Sequence, residues 1–158
     1  MIKFIVFFAL INLSTRAQSG DGNKETGNMF LENESKYDFD ITVETLKAAV
    51  EKNTWKLTAI HDLQKTMETY GAEVLPVKVF AVCHPKHASK ILEKDNERIV
   101  SCMMPCRISV YKKSDGKTYI SRINPAPMAK AFGGIVEQVM TDSANEIEEM
   151  LSGIIVKK

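Results

Sequence analysis

The segment from residue 107 to residue 123 constrains the fold more than any other part of the chain. Two runs of alternating apolar and polar residues, 107–112 and 117–123, flank Ser114-Asp115-Gly116. Asp-Gly between alternating runs supplies the positive φ that a tight hairpin demands. A hairpin here dictates antiparallel pairing and excludes an all-helical fold or a purely parallel sheet. The remaining elements have to be assembled around that pair.

Upstream, residues 37–41 (Tyr, Asp, Phe, Asp, Ile) alternate with the period of a half-buried strand. Thr42 then offers an N-cap for a helix with Val43, Leu46 and Val50 on one face. Residues 55–60 alternate again as a second strand, and polar residues 64–70 suit a short helix stopped by Gly71. Residues 77–82 follow Pro76 as a third strand, and Pro85 opens a helix over 85–93. From Pro127 the chain reads as helical, bent at Gly133-Gly134, with Ser143 and Glu146 spaced as a capping box that restarts it. Ile147, Met150, Leu151 and Ile154 give that last helix an apolar face, suited to the core or to docking a partner. The order predicts an α+β fold, a mostly antiparallel sheet with helices packed on one face.

The first seventeen residues read as an address. Lys3 precedes about ten mostly apolar residues, the length of a signal-peptide core and half that of a membrane span, and Thr15 and Ala17 suit a cleavage site before Gln18. Residues 18–36 are polar and glycine-rich, a flexible leader, so the expected domain spans 37–158. Removing residues 1–17 takes away Lys3 and Arg16 and no acid, which turns a net charge of +1 into −1. A near-neutral chain with 8% aromatic residues gives no footprint for nucleic acid. The expected destination is periplasmic or extracellular, with no membrane span after cleavage.

All three cysteines and all three histidines fall between residues 61 and 106, at loops or element ends where a scaffold positions functional groups. They sit in Cys83-His84-Pro85-Lys86-His87, in Cys102-Met103-Met104-Pro105-Cys106 and in His61-Asp62. Thiolate and imidazole suit Cu(I) or Zn, which makes Cys83, His84 and Cys106 metal candidates, although no CxxC spacing is present. His84 and His87 can share a face at i, i+3. In an oxidising space the thiols can pair as Cys102–Cys106 or Cys83–Cys106, or Cys83 and Cys102 can serve as small buried hydrophobes. No catalytic triad, phosphate loop or dinucleotide fingerprint is present, and no catalytic residue or cofactor is assigned.

Taken in order, Cys83-His84-Pro85-Lys86-His87-Ala88, Met104-Pro105-Cys106-Arg107-Ile108-Ser109-Val110-Tyr111, residues 116–124 and Phe132-Gly133-Gly134 resemble the domain-of-unknown-function family 302. The resemblance covers roughly residues 39–151. It implies a compact α+β domain similar to the TATA-binding-protein-like fold, commonly dimeric, with no assigned activity. The family's Cys-x-Pro and Pro-Cys blocks fall on Cys83–Pro85 and Pro105–Cys106. The sequence departs from the pattern at Cys102 and at His84, where the family often has Asn. The resemblance therefore points to Cys83, Pro105 and Cys106, with His61 as a neighbour, as ligand-binding or redox candidates. Three readings follow: an exported, non-enzymatic homodimeric module binding a small or metal-bearing ligand; a thiol-redox or sulfur-handling protein using Cys106 and Cys83; and a structural domain docking through its last helix.

Overall fold

A computed structural model describes residues 29–157 of the 158-residue chain. The expected signal peptide and leader residues 18–28 lie outside the described residues. Residues expected to be leader instead supply the first strand, β1 (Phe30–Glu34), which pairs antiparallel along β5 (Thr118–Ile123) from Phe30–Ile123 to Glu34–Tyr119. The domain thus begins some seven residues earlier than its polar composition suggests. The fold satisfies β1 from both directions, because after the last helix the chain returns so that Val156 N–H donates to Glu34 O at 2.8 Å.

Residues 37–41 do not form a strand. The Asp38 carboxylate accepts from Ile41 N–H at 3.0 Å, capping helix α1 (Phe39–Lys52). That cap satisfies an amide the helix itself leaves orphaned, and Asp40 in the first turn adds a favourable charge. Thr42, expected as the cap, is a fully buried residue inside the helix whose Oγ1 lies 2.7 Å from Ser35 Oγ. Strand β2 (Lys56–Asp62) follows, then the exposed helix α2 (Leu63–Thr69) and strand β3 (Val77–Cys83). Helix α3 (Pro85–Leu92) leads through a 3-10 helix (Glu97–Met103) into β4 (Cys106–Lys112). The β4–β5 hairpin turns where expected, with Gly116 at φ 79°. Helix α4 (Ala126–Phe132) ends at Gly133, whose φ of 66° no other residue type adopts cheaply, and α5 (Gly134–Leu151) begins beyond it. Helix α5 runs unbroken through Ser143 and Glu146, so no capping box restarts it.

The five strands form one antiparallel sheet in the order β1-β5-β4-β3-β2, with a bulge in β2 between Leu57 and Ala59. Helices α1 and α5 bury one face of it: Leu46 and Val50 meet Phe80, Val82, Ile108, Val110 and Ile120, with Leu151 and Ile154 closing the layer. Each of these side chains contributes roughly 1.5–3 kcal/mol by leaving water. The result is the expected α+β architecture. The apolar face of the last helix is spent on this core, since Ile147, Met150, Leu151 and Ile154 are all buried; the docking reading loses its surface. A smaller cluster of Ile91, Val100, Val136 and Val139 clamps α3 and the 3-10 helix to α5. That clamp fixes the start of α3 relative to the middle of α5.

Candidate functional site

The site grows from the junction where β3 ends at Cys83 and α3 begins. His84 occupies the N-cap with extended backbone (φ −100°, ψ 110°), and Pro85 opens the helix with the φ that its first turn needs. His84 makes no side-chain cap bond, so its ring turns instead toward Thr54, with Nε2 3.2 Å from Thr54 Oγ1. His87 lies one turn further along and is buried. From the α1–β2 turn comes Trp55, 3% exposed. The residue before it, Thr54, has φ 64°. A β-branched residue in the left-handed region costs about 1–2 kcal/mol, and the strain sits where the chain turns Trp55 inward and presents the Thr54 hydroxyl to His84.

Glu146, from the middle of α5, joins these pieces. Its Oε1 lies 2.9 Å from His87 Nε2 and its Oε2 accepts from Trp55 Nε1 at 3.0 Å. The three rings gather around it edge-on or tilted, with centroids 4.4 Å apart for His84 and His87, 5.5 Å for Trp55 and His84, and 6.3 Å for Trp55 and His87. Burial pushes the Glu146 carboxyl up, but the hydrogen bonds from His87 and Trp55 outweigh it and the net value lies below the ordinary 4.5. An ionised carboxylate only accepts, so His87 Nε2 is a donor, and a neutral His87 carries its lone pair on Nδ1. That Nδ1 is buried without a hydrogen-bond partner, and so is Nδ1 of His84. Burial, followed by the neighbouring His87, holds the His84 pKa below its ordinary value, which favours the neutral ring.

The thiols lie beside this cluster. Cys106 sits opposite Val82 at the start of β4, and Cys83 is the next residue along β3, so the two occupy the same end of adjacent strands. Burial pushes the Cys106 thiol up, and Cys83 pushes it further; burial also raises Cys83. All three cysteines are free thiols. Cys102 is exposed on the 3-10 helix rather than buried as a small hydrophobe. Pro105 follows Met104 through a cis peptide bond and leads into β4. His61 pairs with Val79, four residues from Cys83, or about 13 Å along the strand. It belongs to the opposite end of the sheet, beside α2.

With this geometry in hand, the chain can be set against known proteins. Residues 31–157 match the family described as domain of unknown function DUF302. The chain belongs to that family. The fold is similar to that of the crystal structure of an uncharacterised conserved DUF302 protein from Bacillus stearothermophilus, at a TM-score of 0.70 and 17% identity, covering 78% of this chain and 96% of that one. At that identity the likeness speaks for the fold alone. No curated protein matches the chain.

Within this DUF302 domain the sequence candidates separate into two groups. Cys83, His84, Pro105 and Cys106 gather at one end of β3 and β4, while His61 and Cys102 point elsewhere. His87, first noted only for sharing a face with His84, becomes central. Glu146 and Trp55 were legible only as a cap partner and a strand residue, because nothing local in sequence joins residues 91 positions apart. Chemically, the cluster offers two imidazoles, one carboxylate and a flat aromatic wall. Among the described residues, no helix is long and apolar enough to cross a membrane.

Proposed function

We propose that this DUF302 domain is an exported, non-enzymatic, homodimeric binding module, and that it takes a small or metal-bearing ligand at the His84–His87–Glu146 cluster. The observation that carries the reading is the pair of buried Nδ1 atoms without partners. A buried polar atom left unpaired costs about 1–3 kcal/mol, and most folds avoid it, so two on adjacent rings favour a bound group that supplies the missing interactions. The strained Thr54 at the rim argues the same way, since backbone strain concentrates at ligand sites. The thiols support binding over redox chemistry, because burial holds Cys83 and Cys106 protonated and the nucleophile in thiol exchange is the thiolate.

The chain's three histidines make the test selective. Imidazole 15N–1H spectra of histidine-labelled protein would be recorded with Zn2+, glutathione and inorganic phosphate added one at a time. The expected result is that at least one probe moves the His84 and His87 signals together and leaves His61 in place. If none of the three moves the pair, or if His61 moves as far, the cluster is not a binding site. Light scattering on the same sample reads the dimer as twice the single-chain mass.

A further inference from the structure

We propose that His84, His87 and Glu146 together hold one divalent transition-metal ion, of which Zn2+ is the best fit, with an open coordination position facing the small ligand. The inference deepens the binding reading above and rests on it. One donor atom from each of the three residues lies within 4.8 Å of the other two. Ligands bonded at 2.0–2.2 Å around a tetrahedral zinc stand about 3.3 Å apart, and His87 Nε2 and Glu146 Oε1, 2.9 Å apart, are near that spacing; the ion replaces the hydrogen between them, and the neutral ring then carries its hydrogen on Nδ1. No edge of the triangle exceeds 4.8 Å. Two imidazoles and one carboxylate form the donor set that a three-ligand zinc site with a free fourth position uses.

The surroundings fit the same purpose. Outer-shell hydrogen bonds orient metal ligands, and here Trp55 Nε1 anchors the second oxygen of Glu146 while Thr54 reaches the His84 ring. His84 precedes the helix that carries His87 and the glutamate comes from another, and the Ile91–Val136–Val139 packing locks the two helices together. A site built this way is preorganised rather than assembled by the ion. The reading also moves the metal away from the thiols: a site on Cys83 and Cys106 requires deprotonating two sulfurs that burial holds protonated.

Trp55 is the only tryptophan in the chain and lies against both histidine rings, so it reports directly on the site. Chelator-treated protein would be titrated with Ni2+, which quenches nearby indole emission, and then with Zn2+ as competitor. Quenching that saturates at one equivalent and is reversed by Zn2+ is expected. His84→Asn and His87→Gln should each weaken binding about 10- to 100-fold, whereas Cys83→Ser and Cys106→Ser leave it within about twofold. Circular dichroism identifies any variant that fails to fold. His84→Asn, at a helix cap where asparagine is well tolerated, decides the matter if His87→Gln does not fold. Absence of saturable quenching overturns the metal site, and so does loss of binding on cysteine but not histidine substitution. Should phosphate or glutathione still move the two imidazole signals, the metal inference alone fails and the binding reading stands.

Discussion

Removing the Glu146 carboxylate should unfasten three elements at once. In Glu146→Ala the Trp55 indole N–H and His87 Nε2 both lose their acceptor, and both residues are buried. Each orphaned donor costs about 1–3 kcal/mol. The Glu146 side chain is 42% exposed, so water entering the vacated space recovers part of the loss, and the lower half of each range applies. The worked sum is about 2–4 kcal/mol. Glu146→Gln keeps the shape and one neutral acceptor, which can serve Trp55 or His87 but not both, and should cost about half as much. For a domain of this size each kcal/mol lowers Tm by roughly 3–4 °C. The assay is urea unfolding in the presence of a chelator, followed by far-ultraviolet circular dichroism and by Trp55 emission. The chelator keeps metal linkage out of the comparison. The alanine variant should show a red-shifted native spectrum as water reaches the indole. A cost under about 0.5 kcal/mol with unchanged emission refutes the reasoning, and so does a glutamine variant as unstable as the alanine one.

Two further predictions address groups outside that cluster. Under native conditions Cys102 should react first with a disulfide reagent, and Cys83 and Cys106 only slowly until urea exposes them, because burial both shields and protonates the latter pair; a Cys106 as fast as Cys102 would revive the thiol-redox reading. On the hairpin, Tyr119 donates to Asp115 at 2.7 Å, and that hydrogen bond pushes its pKa from the ordinary 10 up to about 12. The folded-state value is the raised one, so the stabilisation is complete below pH 10 and lost as pH climbs from 10 toward 12. Asp115→Asn should return the Tyr119 phenolate absorbance toward the ordinary range; an unchanged titration curve would remove Asp115 as the cause.

What the sequence made legible divides along physical lines. The hairpin, β3, α3 and the break at Gly133 were readable because each is dictated locally, by a turn residue, a proline or a positive φ. The start of α1 was misread because residues 37–41 satisfy two patterns at once. Period-two alternation favours a strand there, and Asp38 three residues before Ile41 favours a cap; the cap wins because its hydrogen bond forms within the segment, whereas a strand needs a partner. β1 was hidden for the opposite reason. Its sequence, Phe-Leu-Glu-Asn-Glu, is half polar because its charged residues face the tyrosines and lysines of the hairpin: Glu32 bonds Tyr111 and Lys113, and Glu34 bonds Lys117. An edge strand held by cross-strand pairs of this kind leaves no apolar run to find.

The candidate site shows where such reading ends. Its histidines announced themselves through spacing and position, and the thiols beside them drew attention because cysteine is rare and reactive. Yet the residue that gives the histidines a chemical role is a glutamate in a helix dense with glutamates, Glu146 among Glu148 and Glu149. Sequence spacing set Glu146 apart only as a capping partner of Ser143 and pointed none of the three at the histidines. Their neighbours do not: Glu148 pairs with the buried Arg122 of β5, Glu149 is exposed, and Glu146 alone turns toward His87 and Trp55. The helical rotation of about 100° per residue aims each carboxylate at a different element. Their roles are thus set by the rotational phase of α5, which depends on where Gly133 lets the helix begin and on how Val136 and Val139 seat it against α3. A one-residue shift of that start would carry Glu146 about 100° away from the imidazoles, so the glycine pair that looks like a mere bend in the sequence fixes which acid reaches the site.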